Sequence, residues 1–179
     1  MDKVLLEEKM LLLQKGDKNA LKDVYQLMSK TVYLLAVSIV KDTEKAKDIL
    51  QETFIRVARY IDKYQAGNAA AWITTIARHL SYREWERSKR TTSLDAISEK
   101  LEDNRGSHDE RWTDNIVLYE AMAKLSNEER EIVMLYAMQG YKHREIAEIV
   151  GKSDNTVRWL YQKALKTMRE NIDGKGKKL

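Results

Sequence analysis

The chain has 179 residues, yet it contains no proline and only seven glycines. Average usage of ~5% would give a chain of this length about nine prolines. Proline interrupts helices and glycine weakens them, so their scarcity leaves long segments free to be helical. Hydrophobic residues make up 43% of the chain, which is enough to bury cores. The sequence therefore predicts an all-α protein.

A polar segment divides the chain into two parts. Residues 91–111 have weak hydrophobic periodicity and many charged side chains, as is typical of a flexible linker. The prediction is two small helical domains joined by an acidic linker. Their ranges are 1–90 and 112–172, followed by a basic tail at 173–179.

Charge alternates along the chain although the net charge is only +4. Residues 78–90 carry five Lys or Arg against two Glu, and residues 152–170 carry five against two acids. Between them, residues 91–114 carry seven acids against three basic residues. Two basic helices on either side of an acidic segment indicate two separate contacts with a polyanion.

Composition and motifs argue against an enzyme. The chain has no cysteine, and its three histidines are isolated, without carboxylates at ligand spacing. No glycine-rich phosphate loop or G-x-S-x-G motif occurs. We predict no catalytic residues, no metal and no cofactor. Without a long apolar run or a signal-peptide core, we expect no membrane insertion and a cytoplasmic location.

One helix of the first domain presents an unusual outward stripe. Apolar residues recur at helical spacing and predict a buried face, which consists of Ala46, Ile49, Leu50, Phe54, Val57 and Ile61. Asp42 is the expected N-cap. The adjacent outward stripe contains Asp48, Gln51, Glu52, Ile55 and Arg59. A charged stripe is usually a solvated face, but Ile55 within it favours a partner surface.

The next predicted helix, residues 68–90, combines aromatic and basic side chains. We expect the exposed set to comprise Tyr64, Asn68, His79, Tyr82, Arg83, Trp85 and Arg87. Aromatic rings that alternate with cations suit single-stranded nucleic acid, where bases stack and phosphates pair with cations. An amphipathic packing helix is the alternative, and composition alone does not decide between them.

Residues 125–170 predict a helix-turn-helix domain. Ser126 and Glu129 form a capping box, Gly140 and Gly151 separate three helices, and Ser153 is the expected N-cap of the last helix. The inward residues are predicted as Val157, Tyr161, Ala164, Leu165 and Met168. The candidate DNA contacts are Ser153, Asn155, Thr156, Arg158, Trp159, Gln162 and Lys163. A basic surface helix without a role in DNA binding is the alternative.

Three segments in this order and spacing resemble the extracytoplasmic-function (ECF) group of bacterial RNA polymerase sigma factors. They read DILQETFIRV at 48–57, WITTIARH at 72–79 and GYKHREIAEIVGKSDNTVRWLYQKAL at 140–165. The resemblance covers nearly the whole chain. It implies two helical domains, called regions 2 and 4, and a sigma factor that directs polymerase to promoters and helps open them.

The resemblance also implies roles for particular residues. Asp48, Gln51, Glu52 and Ile55 would bind the clamp helices of the largest polymerase subunit. Tyr64, Asn68, His79, Arg83 and Arg87 would lie near the minus-ten strand. The last helix would read the minus-thirty-five element as duplex. The further implied contacts are the polymerase flap and an anti-sigma factor.

Several positions depart from the family pattern. His79 and Arg83 stand where the family usually has Asn and Asp, and Lys142 replaces a Ser cap. Trp159 and Leu160 replace a small residue and an Arg, so we expect different contacted bases. The alternative functions are a helix-turn-helix regulator that binds operator duplex without polymerase, and an interaction protein that sequesters a partner.

Overall fold

The computed structural model describes residues 2–95, 122, 124–138 and 140–176. Every regular element in these ranges is helical, which confirms the predicted all-α class. The chain divides into two compact units, Met1–Glu102 and Asp103–Leu179, and the division falls within the predicted linker. The exact limits of the linker stay a prediction, because residues 96–111 lie outside the described ranges.

Over residues 2–95, the first unit consists of four helices and one short turn. They are α1 (Lys3–Gln14), α2 (Ala20–Val40), α3 (Thr43–Arg59), a 3-10 turn (Ile61–Lys63) and α4 (Ala69–Asp95). Helix α2 contacts α1, α3 and α4 and is therefore the centre of the bundle. Its core residues Val24, Met28, Val32 and Leu35 recur every three or four positions and are fully buried.

The turn between α2 and α3 is short and contains no glycine. Lys41 ends α2 in the left-handed conformation at φ 58°, which disfavours residues with a Cβ. The Asp42 side chain then accepts a hydrogen bond from the backbone N–H of Lys45 at 3.0 Å. Asp42 is therefore the N-cap of α3, as predicted.

Helix α4 is longer than the sequence analysis predicted. It continues from residue 90 to Asp95, five residues into the segment interpreted as linker. No proline or glycine lies in residues 91–95, so nothing in the local sequence ends the helix there. The helix therefore extends five residues past the predicted domain boundary at 90.

Three helices of the second unit lie within residues 124–138 and 140–176. They are α5 (Asn127–Val133), which continues into a wider π-helical turn (Met134–Met138), α6 (His143–Val150) and α7 (Asp154–Gly176). The predicted capping box is confirmed, since Ser126 and Glu129 exchange side-chain to backbone hydrogen bonds of 2.9 and 3.2 Å. Helix α7 extends to residue 176 and includes part of the predicted basic tail.

Two glycines set the angles of the helix-turn-helix. Gly140 and Gly151 have φ of 70° and 68°, a conformation in which other residues are strained. Beyond Gly151, the Lys152 N–H donates to the Ala147 carbonyl at 3.0 Å and closes the end of α6. The predicted glycine turns are thus present, and α7 follows α6 as the second helix of the motif.

Candidate polymerase and nucleic-acid interfaces

The outward stripe of α3 lies where the sequence predicted it. Asp48, Gln51 and Ile55 are exposed, and Ile55 retains 50% of its accessible surface. Glu52 is partly buried, and its carboxylate accepts a hydrogen bond from Arg56 Nε at 2.7 Å. This hydrogen bond, opposed by burial, lowers the pKa of Glu52. The stripe offers apolar, amide and carboxylate groups that a protein partner can bury together.

Arg83 and Arg87 of α4 share a groove with Asp48 and Glu52 of α3. The groove has a volume of about 380 Å³. Its other lining residues are Lys45, Ile49, Leu80 and Glu84. The positive charge of Arg83 also contributes to the lowered pKa of Glu52. The structure therefore groups residues that the sequence analysis divided between the polymerase and the minus-ten strand.

The aromatic side chains of α4 form a stripe of their own. The Tyr82 and Trp85 rings meet edge to face, with centroids 6.2 Å apart. The Arg78 guanidinium lies 4.8 Å from the Tyr82 ring, and the Lys89 ammonium lies 3.8 Å from the Trp85 ring. A second stripe, offset around the helix, contains His79, Arg83 and Arg87. The aromatic and basic side chains that were expected to form one exposed surface of α4 therefore lie on two separate stripes.

Tyr64 is buried, so the expectation that it is exposed to DNA is wrong. Only 4% of its surface is accessible, and its ring packs on Trp72 with centroids 5.3 Å apart. Its hydroxyl donates to the Glu7 carboxylate at 2.5 Å, and burial together with this carboxylate raises the pKa of Tyr64. The Asn68 side chain caps α4 by accepting from the Ala71 N–H at 3.1 Å.

The sequence analysis gave helix α1 no functional role, yet it contacts the loop before α4. Glu7 and Gln14 make five hydrogen bonds to residues 61–69. The hydroxyl of Tyr64 bonds to a residue 57 positions earlier in the chain. No local spacing or motif reports contacts of this length, so the sequence carried no signal for them.

The N-terminus of α7 is capped as predicted. The Ser153 hydroxyl accepts a hydrogen bond from the Thr156 N–H at 3.1 Å and lies 2.8 Å from the Thr156 hydroxyl. Five predicted DNA contacts are exposed along the helix, namely Asn155, Arg158, Trp159, Gln162 and Lys163. Trp159 is the most open of the large apolar side chains in residues 154–171, at 61%.

Two leucines of α7 have the opposite burial from the one that the sequence predicted. Leu165 was expected to face inward but is 39% exposed. Leu160 was expected to alter the base contacts but is only 7% exposed and lies in the core with Val157 and Ala164. The buried stripe therefore passes through 157, 160 and 164, and Leu160 is removed from the predicted reading face.

Two cations of α7 pair with carboxylates. Arg158 Nε lies 2.8 Å from Asp154 one turn earlier, and Lys163 Nζ lies 2.9 Å from Glu129 at the start of α5. Burial would raise the pKa of Glu129, but hydrogen bonds from Lys163 and from its capping partner outweigh it, and the pKa is lowered. Lys163 Nζ also lies 5.4 Å from the Trp159 ring.

The residues that the structure describes include neither a cluster of metal ligands nor a membrane-spanning helix. No group of three or more His, Asp or Glu side chains there could hold a metal ion. No helix in the described ranges is long and apolar enough to cross a bilayer.

Two family models match the chain in consecutive spans. Residues 24–91 match Sigma-70 region 2, and residues 116–168 match Sigma-70, region 4. The first span includes all of α3 and most of α4, and the second includes the helix-turn-helix. The chain belongs to the sigma-70 family.

Relatives of the chain include members of the ECF group, which confirms the resemblance stated above. The ECF RNA polymerase sigma factor BldN of Streptomyces coelicolor is 30% identical over 87% of this chain and 61% of its own length. The probable sigma factor RfaY of Xanthomonas campestris is 28% identical over 88% and 41%. SigX of Bacillus subtilis is 25% identical over 84% and 82%. The chain thus spans about three fifths and two fifths of the first two relatives.

Solved structures show the same fold. The sigma factor RpoE of Bartonella quintana, in complex with the anti-sigma factor NepR, has a TM-score of 0.70 at 22% identity over 85% of this chain and 96% of that one. CnrH, in complex with the cytosolic domain of CnrY, has a TM-score of 0.71 at 18% identity over 95% and 98%. In this chain, Glu7 and Gln14 precede the matched region 2, whereas Glu129 and Lys163 lie inside region 4.

Proposed function

We propose that the protein binds core RNA polymerase, directs it to specific promoters and helps to open the minus-ten DNA. The observation that supports this most is the presence of regions 2 and 4 in order on one chain. A regulator that only binds operator duplex has no need of region 2. The protein performs no chemistry of its own in this role, which takes place in the cytoplasm on bacterial polymerase.

The polymerase contact in this proposal is the stripe of α3. Asp48, Gln51, Glu52 and Ile55 would bind the clamp helices of the largest subunit, while region 4 would contact the flap. The exposure of Ile55 supports this role, because burying an aliphatic side chain in an interface is favourable by about 1.5–3 kcal/mol. Arg83 lines the same groove and would lie at the edge of this contact.

The minus-ten contact would use α4 and the loop before it. His79, Arg83 and Arg87 provide exposed polar groups, while Tyr82 and Trp85 provide ring faces already in contact with cations. Unstacking a base costs a few kcal/mol, and stacking on a protein ring returns about 1–3 kcal/mol. A few captured bases therefore offset most of the cost of opening a short segment.

The minus-thirty-five contact would use the exposed face of α7. Arg158 has the fork geometry that pairs with guanine, and Asn155 and Gln162 have the amide geometry that pairs with adenine. Ser153 and Thr156 at the helix N-terminus, together with Lys163, would contact phosphates. Trp159, at 61% exposure, would add an apolar contact in the groove.

An anti-sigma factor is the expected regulator. RpoE was solved in complex with the anti-sigma factor NepR, and CnrH was solved in complex with the cytosolic domain of CnrY. By analogy, we propose that a protein of this kind covers the α3 stripe or α7 of this chain until a signal releases it.

The decisive experiment is promoter selection in vitro. The purified chain is mixed with bacterial core polymerase and a genomic promoter library, and the run-off transcripts are sequenced. A defined set of start sites supports the proposal. Tight binding to duplex DNA without polymerase-dependent initiation would instead identify an operator-binding regulator.

A matched pair of variants tests the polymerase contact. Ile55→Asp is expected to weaken core binding at least tenfold, because it places a charge in an interface that buries an apolar side chain. Val4→Asp makes the same change at another exposed aliphatic residue, outside the stripe, and should bind like the unmodified chain. Equal affinities for the two variants would remove Ile55 from the interface.

A further inference from the structure

The loop that joins the 3-10 turn to α4 is fastened at its beginning by Gln14 of α1. Its side-chain amide donates to the carbonyl of Ile61 at 3.2 Å and to the carbonyl of Tyr64 at 2.9 Å. Two backbone carbonyls of the loop are thus bound to a neighbouring helix. The loop therefore starts from a fixed backbone position.

The end of the same loop is held by one carboxylate. Glu7 Oε1 accepts from the Tyr64 hydroxyl at 2.5 Å and from the Gly67 N–H at 2.8 Å, and Glu7 Oε2 accepts from the Ala69 N–H at 3.0 Å. Hydrogen bonds to an ionised acceptor are about twice as strong as neutral ones. These hydrogen bonds outweigh the effect of burial and hold the pKa of Glu7 below its usual value.

The position of Glu7 also suits the start of α4. Ala69 is the first residue of that helix, so its N–H has no partner within the helix, and a negative charge there is favourable. Gly67 has φ 137°, a conformation that a residue with a Cβ rarely adopts. The carboxylate therefore fixes both the unusual turn at Gly67 and the first turn of the helix behind it.

Between these two anchors the loop presents a small exposed tip. Gln65, Ala66 and Gly67 are exposed, whereas Tyr64 before them and Ala69 after them are buried. Ordering such a tip costs conformational entropy. Helix α1 already orders this tip in the folded protein. A strand that docks there therefore does not bear the entropic cost of ordering it.

We propose that Glu7 is a positioning residue for strand opening, which holds the loop 64–68 in the shape that receives the minus-ten strand. The inference rests on the proposed function. It assigns to α1, which precedes the matched region 2, a part in promoter opening that involves no contact with DNA. Gln14 supports the same loop from its other end.

The experiment compares Glu7→Ala with Glu8→Ala, an exposed carboxylate one residue along the same helix. Each variant is mixed with bacterial core polymerase on a promoter selected by the unmodified chain, either as duplex or with the minus-ten segment already unpaired. Open complexes are measured by permanganate reactivity of unpaired thymines. Affinity for core polymerase is measured in parallel, and it should not change.

Glu7→Ala is expected to form about tenfold fewer open complexes on duplex, because buried donors lose their charged acceptor. On the unpaired template it should come within about twofold of the unmodified chain, since strand opening no longer limits the reaction. Tyr64→Phe removes one donor and leaves the ring. It should form an amount of open complex on duplex that lies between those of Glu7→Ala and the unmodified chain. Glu8→Ala should match the unmodified chain on both templates.

The proposal is overturned if Glu7→Ala behaves like Glu8→Ala on duplex. It is also overturned if Glu7→Ala loses activity equally on both templates or loses its affinity for core polymerase, because Glu7 would then serve only the stability of the fold. Failure of the unmodified chain to initiate on either template is a different result, which would refute the proposed function itself.

Discussion

The two regions assigned to promoter DNA hold their contact groups in different ways. In region 2, the loop before α4 is held by hydrogen bonds from neutral donors to the carboxylate of Glu7. In region 4, the cations Arg158 and Lys163 are themselves held by the carboxylates of Asp154 and Glu129. In region 2 the carboxylate fixes the conformation of a loop. In region 4 the carboxylates occupy the cations that a DNA phosphate would also bind.

This difference has a consequence for salt and for affinity. Hydrogen bonds between neutral donors and a partly buried carboxylate are little affected by ionic strength, so the loop of region 2 should keep its shape in high salt. Exposed cations with carboxylate partners are screened, and their partners compete with DNA. Region 2 would thus be prepared for the proposed contact, whereas region 4 would have to exchange ion pairs with carboxylates for ion pairs with phosphates.

The largest expected effect compares Glu7→Gln with Glu129→Gln. Glu7→Gln should reduce the stability of the first unit by about 1.5–3 kcal/mol, because a charged acceptor of three donors is lost. Glu129→Gln should cost at most about 1 kcal/mol, since glutamine retains the capping box and the lysine partner is half exposed. Hydrogen exchange measured over residues 62–70 and 124–131 reports each loss separately.

Raising NaCl from ~0.1 to ~1 M sharpens the contrast. The effect of Glu129→Gln should shrink as the lysine pair is screened, whereas the effect of Glu7→Gln should persist. If salt erased the effect of Glu7→Gln as well, the two regions would not differ in the way described.

Arg158→Ala tests whether a paired cation of α7 still reads a base. Promoter use should weaken by about 1–3 kcal/mol if the guanidinium leaves Asp154 for a bidentate contact with guanine. Arg169→Ala, an exposed arginine about three turns later on the same helix, is the control and should change promoter use much less. An unchanged transcript profile for Arg158→Ala would exclude the base contact.

Glu129→Gln should strengthen DNA binding, whereas Arg158→Ala should weaken it, and the expected change is smaller. Lys163 loses its carboxylate partner in this variant. The complex of the chain and core polymerase should therefore bind promoter duplex more tightly, by up to about 1 kcal/mol, or about fivefold. Fluorescence anisotropy at low salt measures the change. The double variant Glu129→Gln with Lys163→Gln should lose the gain, and a gain that persisted there would arise from something other than Lys163.

The sequence predicted local features well and distant contacts poorly. The capping box of Ser126 with Glu129, and the N-caps Asp42 and Ser153, each involve residues three positions apart, so their types and spacing suffice. The hydroxyl of the buried Tyr64 donates to Glu7, which lies 57 positions away. No pattern in the sequence predicts that pairing.

The prediction of helix faces is limited in a similar way, at the residues on the border between the buried and the exposed face. The stripes of α3 were predicted from helical periodicity, because the buried and exposed residues are of clearly different types. In α7, Leu160 and Leu165 are both apolar, and which one is buried depends on where the neighbouring helices pack. The reading face of α7 could therefore be predicted only to within one row of side chains.

The smallest expected effect concerns the start of α6 and not its charges. Lys142 offers no acceptor at the N-cap, and only the return bond from its own N–H to Glu145 is present, at 2.8 Å. Lys142→Ser should stabilise the second unit by about 0.5–1 kcal/mol by supplying that acceptor. Lys142→Ala removes the same charge without an acceptor and is the control in thermal unfolding. Equal melting temperatures for the two variants would contradict the capping argument.

The neighbourhood of Trp159 gives region 4 an optical signal of its own. Its indole is largely open to solvent, and the Lys163 ammonium lies 5.4 Å from the ring. DNA that draws Lys163 to a phosphate, or covers the ring, changes the polarity around the chromophore and therefore shifts its emission. The chain has three other tryptophans, Trp72, Trp85 and Trp112, so a chain in which all three are phenylalanine would let promoter engagement by α7 be followed in real time, without an attached dye.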